Sequence, residues 1–397
     1  MSILRYILPG FSGEVRLIAF TRAILALGFA LSIPFLSLYL HEDLGIPMTQ
    51  VGIMLTCAGL IGSGAATLGG ALSDRFGRKG LLVFFMLCRM LTFVVLSFLV
   101  WHRTSFVSFA MIYIVSAPLG TAMMPIMDAI IADVTGINKR AEAYGILRIA
   151  ANMGWALGPA LGGFLVSGGY HLLFLVTAVS LAFSASLITW RLRETHFISK
   201  IETRNLDLGI VIRDRVLFRF LMICLIMYIV KGQLIATLSV YASGNVGLTK
   251  AQIGLLYFEN GAMVAVFQLF ITRMVKRFKP LKILISAALL YGAGFFLVGR
   301  SHSALTLAFC VAMITTAEMM EAPTTTTFIS RLAPEGRTGV YMGSFSLVMH
   351  LGWTIGPLVG GLLLDNFVDP VNVWNTIGMF ALLASVGFFI LQQKKTR

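Results

Sequence analysis

Long uninterrupted runs of apolar residues are the feature that most restricts how this chain can fold. A helix of about 20 apolar residues crosses the hydrocarbon core of a bilayer, and inside lipid the backbone satisfies its hydrogen bonds only within helices or closed barrels. Such runs begin and end near residues 15–40, 49–73, 80–101, 104–135, 141–168, 170–192, 217–243, 249–274, 279–300, 303–333, 338–366 and 370–392. The sequence therefore predicts twelve membrane-spanning helices, which we number span 1 to span 12.

The composition of the 397-residue chain agrees with this prediction. Hydrophobic residues make up 58% of the chain and charged residues only 12%, whereas a soluble domain is about half apolar and about a quarter charged. This composition excludes a soluble enzyme, a fibrous protein and a disordered chain. The cysteines lie inside apolar runs without metal-ligand spacing, which predicts buried thiols and no metal site. They are Cys57, Cys88, Cys224 and Cys310.

The Lys and Arg residues are distributed unevenly between the predicted loops. With the N-terminus placed in the cytoplasm, 24 of the 31 face the cytoplasm and three face the outside. Cytoplasmic loops of membrane proteins carry such an excess, so we expect a multi-pass protein of a prokaryotic inner membrane with both termini inside. The same bias accounts for the net charge of +14 without a nucleic-acid partner.

The chain divides into two similar halves. Residues 193–216 are polar and carry mixed charges, which predicts a cytoplasmic linker between six-helix bundles at 1–192 and 217–397. The segment GWALGPALGG at 154–163 recurs as GWTIGPLVGG at 352–361, an offset of 198 residues. Parallel repeats of this kind are one of the architectures that transporters use, with the substrate path between the halves.

The loop between spans 2 and 3 carries the most specific motif. GGALSDRFGRKG at 69–80 fits the pattern G-x-L-x-D-R-x-G-R-K completely and resembles the signature loop of the major facilitator superfamily. The resemblance implies an all-α polytopic membrane protein, with twelve transmembrane helices in two pseudo-symmetric six-helix bundles. It also implies a cytoplasmic gate in which Asp74 and Arg78 latch the halves, with Asp133 on span 4 as the matching acid. The gate residues are Gly70, Asp74, Arg75, Gly77, Arg78 and Asp133.

Glycines recur every four residues in spans 5 and 11 and therefore line one face of each helix. Small residues at this spacing let helices approach closely in lipid. The pattern G-x-x-x-G-P-x-x-G-G resembles motif C of drug/proton antiporters and implies antiport; tight packing alone is the alternative. These packing residues are Gly154, Gly158, Pro159, Gly162, Gly352, Gly356, Pro357 and Gly360. Span 2 offers a complementary strip of small residues: Gly59, Gly62, Ala66 and Gly70.

Carboxylates inside the predicted spans are the candidates for proton coupling, because such charges are costly in lipid and usually functional. Glu318 and Glu321 lie three residues apart on span 10 and project to similar sides of the helix. A desolvated carboxylate beside a second acid can bind and release protons near neutral pH. The spacing from Glu318 to Pro323 resembles span 10 of bacterial multidrug/proton antiporters, where this glutamate is implicated in coupling. Glu318 is our first choice, followed by Asp128 and Glu259.

Basic residues at similar depth offer these acids partners. Asp128 on span 4 can pair with Arg22 or Arg148, and a static ion pair that only holds the bundle together is the alternative reading. Likewise, Lys231 and Glu259 can form a purely structural pair. Two arginines against one acid would leave positive charge that attracts an anionic group.

Further polar and aromatic side chains near mid-depth are predicted to line a substrate cavity. The predicted lining residues are Arg22, Arg148, Lys231, Gln233, Tyr241, Trp155, Trp353 and His350. Arg89 on span 3 is instead expected to extend its charge towards the interface. The span-4 arginine of drug/proton antiporters is replaced here by Ile114, so their coupling machinery does not transfer whole.

Together these observations predict a secondary active transporter that works by alternating access as a monomer in the lipid bilayer. The expected activity is efflux of amphipathic or cationic small molecules in exchange for protons. No enzymatic motif, cofactor site or phosphate-binding loop is evident. A carrier for one metabolite, sugar or siderophore is the main alternative, followed by a lipid flippase and a receptor that binds without transport.

Overall fold

The computed structural model describes residues 10–195, 213–335 and 337–396. The helices of spans 1 to 6 are Gly13–Leu38, Met48–Phe76, Arg78–Trp101, Phe106–Val134, Arg140–Leu165 and His171–Arg191. Span 7 consists of Arg215–Gly232 and Thr237–Gly244, and spans 8 to 12 are Lys250–Val275, Pro280–Val298, Ala304–Leu332, Thr338–Asn366 and Pro370–Thr396. A π-helical turn, Tyr39–Asp43, extends span 1, and the short 3₁₀ helices Ile137–Lys139 and Val166–Gly168 flank span 5.

The prediction of an all-α protein with twelve membrane spans is confirmed. In the described part of the chain, twelve helical segments are long and apolar enough to cross a membrane. Most of the predicted linker, residues 196–212, lies outside the described residues. All four cysteines are free thiols; Cys224 and Cys310 are buried as predicted, whereas Cys57 and Cys88 are only half-buried.

Local sequence determines where several spans begin. Ser12 accepts a hydrogen bond from the Val15 amide at the start of span 1. Thr249 and Gln252 form a capping box at the start of span 8, in which two side chains satisfy amides that have no helical partner. Span 9 begins at Pro280, a residue that suits a first helical turn because its missing N–H is not needed there.

The chain forms two compact units. The first contains Met1–Gly45, Cys57–Ile201 and Ile253–Gly261, and the second contains Ile46–Thr56, Glu202–Gln252 and Ala262–Arg397. The first unit therefore holds spans 1 and 3 to 6 with most of span 2. The second unit holds spans 7 and 9 to 12 with most of span 8. The boundaries of the linker at 193 and 216 stay a prediction.

In the first unit, the glycine face of span 5 packs against span 1. A methyl group on Gly154 would lie 2.5 Å from the Ala23 carbonyl oxygen, and one on Gly158 would lie 2.8 Å from the Leu27 carbonyl oxygen. The prediction that span 2 is the complement of this face is therefore wrong. Residue spacing shows that small residues line one face of a helix, but it does not show which neighbouring helix packs against that face.

The small-residue strip of span 2 packs instead against span 4. The Thr121 hydroxyl donates to the Gly62 carbonyl oxygen at 2.6 Å, and a methyl group on Gly69 would lie 2.6 Å from the Ala122 carbonyl oxygen. Small residues here allow close contact between helix backbones, as they generally do in membrane helices. The glycine face of span 5 and the small-residue strip of span 2 therefore both pack against a helix, but not against each other.

The second unit repeats the contact between spans 1 and 5 in the equivalent pair, spans 7 and 11. A methyl group on Gly356 would lie 2.9 Å from the Gly232 Cα, and Gly352 packs directly against the Tyr228 Cβ. Gly360 likewise packs directly against the Thr237 side chain. The duplicated decapeptide therefore keeps one packing role in both units.

Span 7 is interrupted between Gly232 and Thr237, and Gln233 stabilises the interruption. Its Nε2 donates to the carbonyl oxygens of Ile229 and Gly356, both at 2.9 Å, while its Oε1 accepts from the Thr237 hydroxyl at 2.7 Å. The side chain is buried, and both its amide nitrogen and its amide oxygen are hydrogen-bonded within the protein. The substrate-lining role of Gln233 stays a prediction.

The first turn of span 2 lies in the second unit and is capped by Asp365 near the end of span 11. Its carboxylate accepts from the amides of Met48 at 3.0 Å and Thr49 at 2.7 Å. About two turns further on, the Thr56 hydroxyl donates to the Thr354 carbonyl oxygen at 2.8 Å. A carboxylate is favourable at a helix N-terminus, where the unpaired amides carry partial positive charge.

Span 3 starts at the signature loop and is capped by Glu194 from beyond the end of span 6. Gly77 precedes the helix with φ of +89°, a conformation that favours glycine. The Glu194 carboxylate accepts from the amides of Arg78 at 2.9 Å and Lys79 at 3.2 Å. Burial acts to raise the pKa of Glu194, but the backbone N–H groups of Lys79, Arg78 and Gly80 outweigh it and lower that pKa.

We expect Gly154→Ala to destabilise the protein by about 1–3 kcal/mol, because the added methyl meets the backbone of span 1. Gly145 lies in the same helix, and a methyl there has nothing within 4 Å. Gly145→Ala should therefore be neutral or stabilise by up to about 1 kcal/mol through helix propensity. Thermal unfolding of both purified variants in detergent measures the difference. An equal loss in the two variants contradicts the packing of spans 1 and 5.

Glu194→Gln is expected to lower stability at pH 7, at the low end of the about 0.5–2 kcal/mol range of helix caps, because solvent screens this exposed carboxylate. The folded-state pKa is lowered, so the contribution is present above the unfolded pKa and is lost as pH falls through the folded value. The gap between wild type and variant should therefore begin to narrow near pH 4 and close as pH falls below the folded pKa. Unfolding curves at pH 7 and about pH 3 test this, with the exposed Glu335→Gln as control. A gap that does not change with pH would exclude the cap.

Candidate functional site

A cluster of one lysine and two glutamates lies inside the second unit. Lys231 is near the end of the first helix of span 7, and its Nζ lies 3.0 Å from Glu321 Oε2 and 3.5 Å from Glu318 Oε1. Both glutamates are on span 10, where their spacing of three residues brings them to one side, as the sequence predicts. Two carboxylates and one ammonium group give the cluster one surplus negative charge.

Glu321 is the buried member of this cluster. Its side chain is 2% exposed and that of Lys231 is 5% exposed. Glu321 Oε1 accepts hydrogen bonds from the hydroxyls of Tyr228 and Thr325, both at 2.9 Å, while Oε2 contacts the ammonium group. Three donors around one carboxylate compensate for the loss of water. Glu321 is therefore the buried, hydrogen-bonded partner of Lys231.

Glu318 is the accessible member of the cluster. Its side chain is 28% exposed, and its distance from Lys231 Nζ is the longer of the two. Lys231 also lies over the ring of Tyr228, 5.0 Å from the ring centre. Glu318 therefore lies farther from the ammonium group and is more exposed than Glu321. A proton or a cation at Glu318 would neutralise the cluster.

The structural pairing of Lys231 with Glu259 is not observed, since Lys231 contacts Glu318 and Glu321 instead. Glu259 is half-buried on span 8. It makes no ion pair in the described parts of the chain. Its role in proton coupling stays a prediction.

The first unit holds a second charged pair. Arg22 Nη1 on span 1 lies 3.4 Å from Asp128 Oδ1 on span 4, which is one of the two pairings that the sequence allows. Asp128 also accepts at its carbonyl oxygen from the Tyr144 hydroxyl at 3.2 Å. Arg148 is exposed and takes no part in the pair. The local charge is thus balanced, one arginine against one aspartate, and the expected excess of positive charge here does not arise.

Arg78 connects the signature loop to the end of span 4. Its guanidinium lies 3.2 Å from Asp74 and 2.7 Å from Asp133, so one cation holds two carboxylates within the first unit. Arg140 donates to the carbonyl oxygens of Ala132 at 2.8 Å and Thr135 at 3.3 Å, at the same helix end. Arg75 is exposed. The predicted gate residues Asp74, Arg78 and Asp133 are therefore in contact; their gating role stays a prediction.

The remaining predicted lining residues occupy different environments. Tyr241 is buried and packs against Trp374 with 5.3 Å between ring centres, so it belongs to the core rather than to an accessible surface. Trp155 is 39% exposed and packs edge-on against Phe29 at 5.9 Å. Trp353 is half-buried. His350 is exposed, and its ring nitrogen contacts the Ser346 carbonyl oxygen at 2.7 Å.

The sequence analysis did not identify three residues that complete these sites. Tyr228 and Thr325 both hydrogen-bond to Glu321, and Glu194 caps span 3. Tyr228 lies three residues before Lys231 and Thr325 lies four after Glu321, so helical spacing alone could have placed each of these two on the face of its charged neighbour. No sequence signal connects Glu194 with residue 78, since 116 residues separate them.

Comparison with known proteins agrees with the fold and with the signature loop. The model of the Major Facilitator Superfamily matches residues 18–357 and 225–395. The crystal structure of the nucleoside transporter NupG superposes with a TM-score of 0.79, covers 96% of this chain and 99% of that chain, and is 12% identical in sequence. At that identity the likeness is one of fold.

Two curated relatives have similar length and different names. The "Na(+), Li(+), K(+)/H(+) antiporter" of Planococcus maritimus is 25% identical over 364 residues, covering 83% of this chain and 84% of that protein. The "Multidrug resistance protein MdtH" of Yersinia enterocolitica is 24% identical over 375 residues, covering 92% and 91%. With the family model spanning most of the sequence, the twelve-helix fold and the complete signature loop, this chain belongs to the Major Facilitator Superfamily of transporters.

Proposed function

We propose that this protein exports cationic, amphipathic small molecules in exchange for protons, by alternating access. The observation that carries the proposal is the surplus negative charge of the cluster of Lys231, Glu318 and Glu321, placed inside a membrane span and accessible at Glu318. Ionisable groups in such positions mark ion and substrate pathways. The relative named for multidrug resistance supports the same class of substrate.

Competition at Glu318 supplies the exchange. The carboxylate can be neutralised by a proton or by a cationic substrate, but not by both at once, so binding of one favours release of the other. Lys231 and Glu321 stabilise each other as a fixed pair and keep the surplus charge on Glu318. Protonation changes the relative stability of the inward-open and outward-open states only if those states bind the proton with different affinity. Asp128 is the partner acid for this exchange in the first unit.

The contacts of the signature loop fit a gate on the cytoplasmic side. Arg78 joins Asp74 to Asp133, so the loop is ion-paired to the end of span 4 where the superfamily resemblance implies a latch. We place this loop and both termini in the cytoplasm of a prokaryote, on the strength of the Lys and Arg bias. One duplicated chain contains both six-helix halves, which supports a monomer as the working unit.

Glu318→Gln is expected to reduce proton-driven export at least tenfold while binding of the substrate stays measurable, because the amide no longer exchanges a proton. Proteoliposomes with an imposed pH gradient and ethidium as probe measure the flux, and quenching of ethidium measures binding. Glu142→Gln is the matched control, since Glu142 is an exposed acid in the first turn of span 5. Normal pumping by the Glu318 variant would exclude this residue as the coupling acid.

Glu321→Gln should act differently, through stability. Removing one partner of a buried ion pair costs about 3–5 kcal/mol, because the other charge remains buried without compensation. We expect a markedly lower unfolding temperature for Glu321→Gln and a nearly unchanged one for Glu318→Gln. Thermal unfolding of the two purified variants compares them. A reversed order would mean that Glu318 is the structural acid and Glu321 the exchangeable one.

Exchange of monovalent metal cations for protons is a second candidate function, favoured by the name of the Planococcus maritimus relative. The same proteoliposomes distinguish the two by the addition of Na⁺, Li⁺ or K⁺ in place of ethidium. Proton release driven by ethidium alone supports the export of organic cations. Release driven by metal cations alone, and lost in Glu318→Gln, would transfer the proposal to metal-cation antiport.

A further inference from the structure

Arg89 is a cation in the interior of the first unit. It is the twelfth residue of the 24-residue helix of span 3, so about 17 Å of helix separates it from either end. At that depth the side chain cannot extend to the interface, which overturns the expectation that it does. The guanidinium carbon lies instead 5.1 Å from the ring centre of Phe29 and 5.4 Å from that of Phe93.

Gly120 on span 4 provides the space for this guanidinium. A Cβ atom at residue 120 would overlap Nη1 and the central carbon of Arg89. Any larger residue at this position would therefore displace the charged group. Span 4 thus leaves a seat for the guanidinium, between the ring of Phe29 on span 1 and the ring of Phe93 on span 3.

The seat contains no counter-ion. Within residues 10–195, 213–335 and 337–396, no carboxylate lies within 4 Å of the Arg89 guanidinium, and no oxygen accepts a hydrogen bond from it. The Nε atom is buried without a partner. A guanidinium has five N–H donors, and the groups that face this one are the rings of Phe29 and Phe93 and Tyr113. Cation–π contacts contribute about 0.5–2 kcal/mol, whereas burying an ion costs several kcal/mol.

Aromatic side chains adjoin the Arg89 guanidinium. Arg89 is only partly buried as a whole residue, and Phe29 packs edge-on against Trp155, which is 39% exposed. A cation, a half-buried ring and an exposed ring therefore follow one another in the order Arg89, Phe29 and Trp155. A ligand that is anionic at one end and aromatic along its length matches this sequence of environments.

We propose that Arg89, with Phe29, Phe93 and Gly120, forms a binding site for the carboxylate of an aromatic acid. The guanidinium fork matches a planar carboxylate in a bidentate arrangement, which would satisfy two of the free donors and compensate the charge. The neighbouring rings then contact the aromatic part of the acid. This site lies entirely within the first unit, and it is independent of the cation exchange proposed at Glu318.

The test uses the purified full-length protein and benzoate as probe, with binding measured by titration calorimetry. We expect saturable binding by the wild type and an at least tenfold weaker affinity in Arg89→Gln. Arg89→Lys keeps the charge without the fork and should fall between them. Gly120→Ala keeps the arginine but removes its seat and should weaken benzoate as much as Arg89→Gln does. Arg300→Gln is the matched control, because its guanidinium already donates to the Phe296 carbonyl oxygen and to Asn375.

Two comparison arms identify the anion. Inorganic phosphate should compete poorly with benzoate. The protein should bind benzoate equally well in nanodiscs of phosphatidylglycerol and in nanodiscs of phosphatidylcholine. If phosphatidylglycerol abolishes benzoate binding, a lipid phosphate occupies the seat and the proposal is overturned. No benzoate binding by the wild type, or equal binding by Arg89→Gln, overturns it as well. Thermal unfolding of the purified Arg89 and Gly120 variants shows whether they are folded, and this control does not depend on the cation exchange proposed at Glu318.

Discussion

In each unit, a glycine face brings two helix backbones into direct contact, and the positions of the charged groups depend on that contact. Gly154 and Gly158 allow span 5 to lie on span 1, and Gly352 and Gly356 allow span 11 to lie on span 7. Lipid offers little hydrophobic gain for helix association, so close van der Waals packing of this kind has to supply it. Span 7 then carries Tyr228 and Lys231 at a fixed height along the helix that packs against span 11.

The charged groups of the interior differ in how the free-energy cost of their burial is offset. Lys231 and Glu321 compensate each other, and hydroxyl donors complete the arrangement. Glu318 lies farther from Lys231 and is 28% exposed. Arg89 lies beside two aromatic rings, and among the described residues no carboxylate is within 4 Å of its guanidinium. Burial and pairing thus separate Glu321 from Glu318 and Arg89.

The signature loop and the charged interior carry different kinds of information. The loop combines a positive φ at Gly77 with a helix start that a carboxylate caps. The interior charges are few. Relatives of nearly equal identity carry names for metal cations and for multidrug resistance. Overall likeness therefore establishes the family, whereas these two names point to different substrates.

The sequence by itself determined the twelve helices, the superfamily and the pairing of Glu318 with Glu321 on one side of span 10. Each of these depends on residues near one another in the chain, where hydropathy and helical spacing are sufficient. The partner of each helix face was decided only by the tertiary structure: span 5 against span 1, Lys231 against span 10, Glu194 against the start of span 3. The seat of Arg89 is of the same kind, because it combines Phe29, Phe93 and Gly120 from three helices. Contacts between distant segments depend on how whole helices pack, and no local pattern encodes that arrangement.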